Sequence, residues 1–111
     1  MSKTITSPVK RYPGHVVLSD PLTFPQTFAF EDSIKAVDEA RESGSVSRIR
    51  YALLSGILAC VEEWHIEGGF PAQPALDNFP STPRQSSADL IEWITGEIGA
   101  LYREADDVPL A

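Results

Sequence analysis

VSRIRYALLSGILACVEEWHIE, residues 46–67, is the stretch on which the fold turns. Its apolar positions Ile49, Leu53, Ile57, Cys60, Val61 and Trp64 recur with the period of one helix face. Leu54 and Leu58 widen that face, which implies burial against more than one neighbour. Ser45 or Ser47 supplies an N-cap, and Gly68-Gly69 is a stop signal. The pattern predicts a central helix from about Val46 to about Glu67.

Working outward, Thr23-Phe24-Pro25-Gln26 announces an earlier helix: Thr23 caps, Pro25 is tolerated in the first turn and Gln26 occupies the capping-box position. Phe30, Ile34, Val37 and Arg41 form its stripe, filled in by Ala29, Ala36 and Ala40, and Ser43-Gly44 ends it. On the far side of the central helix lies a loop from Phe70 to Thr82 with Pro71, Pro74 and Pro80, long for a compact domain. Thr82-Pro83-Arg84-Gln85 then repeats the start signal for a third helix, with Leu90, Ile91, Ile94, Ile98, Leu101 and Tyr102 as its apolar face and an end near Glu104. Before the first helix, His15-Val16-Val17-Leu18 reads as one short strand between Gly14 and Asp20-Pro21, and its mate is open, another subunit included. The expectation is a mainly α protein: an N-terminal extended arm with a short strand (1–22), a three-helix domain (23–105) with a Pro-rich loop between helices two and three, and an acidic tail (106–111).

With 111 residues the chain has room for one core, and 42% apolar with 23% charged residues is the balance of a globular chain rather than a disordered one. Its longest apolar run, Ala52 to Val61, is broken by Ser55 and Gly56 and falls well short of the roughly 20 residues of a membrane span. No apolar stretch follows the basic residues at the N-terminus, so a cytoplasmic protein without a secretory signal is expected. The net charge of −7 is uneven, since no Lys or Arg occurs from Tyr51 to Pro83. That argues against phosphate and nucleic acid as ligands and leaves DNA mimicry as a minor possibility.

The chain's reactive residues do not assemble into a catalytic pattern. His65 lacks the second His four residues away that a zinc helix needs, and reads as part of a solvated helix end where its charge suits the dipole. Cys60 and His65 are five apart, on different faces of one helix, which rules out a nucleophile and base pair within it. Cys60, the only cysteine, reads as a small core residue, and His15 has no sequence neighbour to tune it. No catalytic, metal or cofactor site is expected, and the protein is read as acting by binding rather than as an enzyme. Phe24, Phe28, Phe30, Trp64, Phe70, Phe79, Trp93 and Tyr102 are many aromatics for three helices to bury. Phe70 and Phe79, in the Pro-rich loop, are the first candidates for partner anchors, with Trp64 and Trp93 beside them.

The residues of Asp20-Pro21-Leu22-Thr23, Phe28-Ala29-Phe30-Glu31-Asp32, Cys60-Val61-Glu62-Glu63-Trp64, Asn78-Phe79-Pro80-Ser81-Thr82-Pro83-Arg84 and Ala88-Asp89-Leu90-Ile91-Glu92-Trp93-Ile94 together give a layout that resembles the small tail assembly chaperones of long-tailed bacteriophages. The resemblance spans roughly residues 16–103 and rests on layout rather than on a catalytic signature. It implies a helical, self-associating protein that coats the tape measure protein in the host cytoplasm, recruits tail tube subunits and is absent from the finished virion. Two other readings stand beside it: a tail completion or connector protein retained in the virion, and an acidic inhibitor of a host enzyme. On the anchor reading, replacing Phe70 and Phe79 with Ala weakens client binding and leaves the melting temperature unchanged; a large fall in melting temperature would place them in the core.

Overall fold

The structure, a computed structural model, describes residues 2–69, 74–79 and 84–106. Its elements run β1 (Ser2–Thr6), β2 (Gly14–Ser19), α1 (Phe24–Ser43), α2 (Val46–Cys60), β3 (Val61–Ile66) and α3 (Arg84–Asp106). Among the described residues there are thus three helices, as expected, together with a three-stranded antiparallel sheet in the order β1-β2-β3.

The sheet changes one expectation and answers one question the sequence left open. First, the central helix does not reach Glu67. It ends at Cys60, and Val61 takes an extended conformation (φ −86°, ψ 124°) that leads straight into β3. Trp64 and His65 therefore lie on a strand, and His65 is not at a helix end. Second, the strand over His15–Leu18 finds its mates in its own chain, with Val16 opposite Ile5 on one side and opposite Trp64 on the other. The N-terminal residues read as an arm are a β-hairpin, and Ile5, Tyr12, Val16 and Leu18 belong to the same buried cluster as the helices.

The helix boundaries that rest on side-chain caps follow the sequence. Thr23 accepts from the Gln26 backbone N–H while the Gln26 side chain accepts from the Thr23 N–H, which satisfies two otherwise unpaired donors at the start of α1. Gly44 closes α1 in the left-handed conformation (φ 69°), and Ser45 caps α2 by accepting from the Arg48 N–H. The Thr82 cap and Pro83 expected before α3 fall outside the described residues.

Helices α1 and α2 form an antiparallel hairpin, seen in the pairing of Ser33 with Ala52 and of Gln26 with Cys60. Its contact line corrects the stripe expected for α1. Ser33 is buried there, donating to the Ala52 carbonyl, while Ile34 is exposed. Gly56 allows this close approach: a Cβ at that position would lie 2.6 Å from Ser33 Cβ and 2.8 Å from its Oγ. Helix α3 ties the layers together, with Leu90, Ile94 and Ile98 almost wholly buried. It meets β1 through Lys3–Glu97, the β1–β2 connection through Tyr12–Ser87, and α1 through Phe30–Tyr102.

Because Ser33 Cβ is fixed to its helix, no side-chain rotation can make room for a larger residue at position 56. Gly56→Val is expected to cost about 1–3 kcal/mol, more than its gain in helix propensity of a few tenths of a kcal/mol returns. Urea denaturation measures this, and an unchanged midpoint would mean that the two helices do not meet there.

Candidate functional site

The outer face of the sheet carries a cluster of polar side chains that the sequence did not foreshadow. His15 and His65 are directly opposite in the β2–β3 register, so their rings come together at 4.6 Å between centroids, tilted by 30°. His65 Nε2 is 3.1 Å from Glu63 Oε1, two residues back and on the same face as strand alternation requires. Trp64 and Ile66, the intervening residues, point inward and are buried. The cluster lies on an open surface, and among the described residues no group of three or more His, Cys, Asp and Glu side chains is placed to hold a metal.

Cys60 lies on the buried side. Its Sγ is within 3.7 Å of the Gln26 carbonyl oxygen at the α1–α2 contact, and burial pushes the thiol up to about 11. It is held as a neutral thiol inside the fold while His65 faces out from the sheet, so the two do not form a nucleophile and base pair.

Among the described residues, depressions lie beside the α2–β3 junction. One of about 220 Å³ is bordered by Leu58, Val61, Glu62, Trp64 and Pro74. A broader, shallow one of about 540 Å³ lies between Ser55, Leu58 and Ala59 of α2 and the segment Pro74 to Asp77. Among the described residues, the first is lined by one carboxylate, Glu62, and the second by one, Asp77.

The aromatic residues divide sharply. Trp64 is 7% exposed, and Phe79 packs edge-on against it with 5.8 Å between ring centroids. This pair anchors the segment after β3 to the core. Trp93 is half-buried against the same core, and Phe70 lies outside the described residues. Among the described residues the aromatics most open to solvent are Phe24 and Phe28, 79% and 58% exposed, followed by Tyr51 on α2 at 57%. The two phenylalanines stand one helical turn apart on α1, stacked at 6.1 Å between centroids and 29° between planes. A helical wheel identifies them in the sequence, since both fall far from the Phe30 and Val37 direction that faces the core.

No protein-family model, no curated protein and no solved structure matches the chain. Among the described residues no helix is long and apolar enough to cross a membrane.

The Cys60 thiol carries a testable pH signature. An acid whose folded pKa is raised keeps its proton when the unfolded chain has released it, so stability falls as pH rises from 9.0 towards about 11. Cys60→Ala is expected to remove that part of the slope in a pH series of urea titrations. In mildly alkaline buffer a thiol reagent should leave the folded protein unmodified and label it only in denaturant; rapid labelling without denaturant would place the sulfur at the surface.

Proposed function

We propose that the chain acts by binding another protein, without catalysis of its own, as a tail assembly chaperone of a long-tailed bacteriophage. In this reading it engages the tape measure protein in the host cytoplasm, recruits tail tube subunits, self-associates while doing so and leaves before the virion is complete. The observation that carries the binding half of the reading is the Phe24–Phe28 stack, two large rings presented side by side to solvent on a regular helix. Each exposed ring costs water contacts that a partner surface would remove, at roughly 25 cal/mol per Å² of apolar area covered. Aromatic side chains also lose little conformational entropy when they dock, which suits them as anchors. The resemblance to tail assembly chaperones supplies the client.

The site moves from the loop to the helix in this reading. Trp64 and Phe79 are engaged with one another, so their first role is to hold the fold together, and α1 takes over as the binding element.

Affinity capture from phage-infected or prophage-induced cells tests the proposal. The tagged chain is expected to bring down a very long, helix-rich protein together with tail tube subunits. A Phe24→Ser, Phe28→Ser double variant, which removes no buried contact, should melt within a few degrees of the parent and lose both. Recovery of the chain in purified virions, or capture of a host enzyme in place of tail proteins, would contradict it.

A further inference from the structure

We infer that the outer face of α1 takes a basic amphipathic helix, its apolar stripe seated on Phe24 and Phe28 and its cations running along the acidic remainder of the helix. The inference rests on the proposed reading of α1 as the binding element, and adds the chemistry of what binds.

The seam itself points there. Phe24, Phe28, Glu31, Lys35, Asp38 and Glu42 follow one another at alternating spacings of four and three, the period with which one helix meets another, and all six are exposed. The seam is apolar for its first turn and then charged. Asp32 and Glu39 flank it, so along α1 five carboxylates face only Lys35 and Arg41 as cations, and Arg41 is 3.4 Å from Asp38. Glu31 is already oriented, since its Oε1 accepts from the Tyr102 hydroxyl at 2.7 Å.

Two further constraints narrow the occupant. Glu42 stands in the last turn of α1 beside Arg41, where the helix dipole disfavours a carboxylate, so its placement favours a cationic neighbour. The two rings alone offer far less than the roughly 800 Å² per partner of a stable complex, so a partner must continue along the charged part of the seam. A second copy of this chain presenting its own α1 would oppose carboxylates with carboxylates. An apolar stripe rimmed by Lys or Arg meets both halves of the seam at once.

The test uses synthetic helices of roughly five turns: one with Leu on one face and Lys elsewhere, one with Leu and Glu, titrated by fluorescence anisotropy against the full chain. The Leu/Lys helix is expected to bind and the Leu/Glu helix not to. The F24S/F28S variant should bind the Leu/Lys helix at least about tenfold more weakly, while F24L/F28L retains binding. The variant E31Q/D32N/E39Q/E42Q should also bind more weakly and lose most of the salt dependence. Equal affinity of the parent and F24S/F28S for the Leu/Lys helix, or binding of the Leu/Glu helix as tightly as its basic counterpart, overturns the inference. In the cellular capture the two ideas separate. Loss of client with F24S/F28S but full retention with the four-amide variant removes the basic helix and leaves α1 as the binding element; retention with both variants removes both.

Discussion

Strand β2 is the constraint on which the other elements depend. Val16 and Leu18 are wholly buried, and a buried strand must find partners for its N–H and C=O groups along both edges. One edge is met by β1, brought back through the turn that holds Tyr12, and the other by β3. Backbone bonds continue the pairing past the strand ends, from Ser7 N–H to the Gly14 carbonyl and from Glu67 N–H to the Pro13 carbonyl. Gly14 makes that junction feasible, because its φ of 128° is open to glycine and a Cβ there would collide with the His65 carbonyl oxygen. Supplying β3 obliges α2 to stop at Cys60, which in turn turns Trp64 and Ile66 into the core beneath α3.

That requirement explains where the sequence was legible and where it was not. The ends of α1 and the start of α2 are written locally, in Thr23, Gln26, Gly44 and Ser45, and a local signal survives folding unchanged. The end of α2 carries no such mark. No glycine, proline or asparagine stands at Cys60–Val61, and the punctuation that is present, Gly68-Gly69, comes after the strand rather than before it. The strand's own alternation is short as well. Val17 faces Glu63 and Leu18 faces Val61, so Glu62 is an extra residue in the ladder, and the in-out pattern is regular only from Glu63 to Ile66. Read with a helical period, Val61 and Trp64 extend the α2 stripe; the non-local demand of β2 overrides it.

The candidate site shows the same division between local and distant causes. Counting aromatics signalled a surplus, but which of them remain outside depends on packing. Phe79 reaches back to Trp64 because β3 places the indole within its range, and Ser33 displaces Ile34 from the helix contact because Gly56 lies opposite. Among the described aromatics, Phe24 and Phe28 on α1 and Tyr51 on α2 are left exposed, and of these only Phe24 and Phe28 stack with one another. The helix that presents them is held firmly, by a capping box at its start and by Phe30 and Glu31 against Tyr102. A rigid helix carrying two open rings is a surface whose binding need not be paid for in reordering the backbone.

In the proposed reading this face of α1, rather than the loop after β3, meets the partner. Chemical-shift mapping of the isotopically labelled chain in complex with its captured client measures this directly. The Phe24 and Phe28 ring signals and the amides along the exposed side of α1 are expected to shift, with β3 and the 74–79 segment little changed. Shifts confined to Trp64, Phe79 and their neighbours, with Phe24 and Phe28 unmoved, would contradict it.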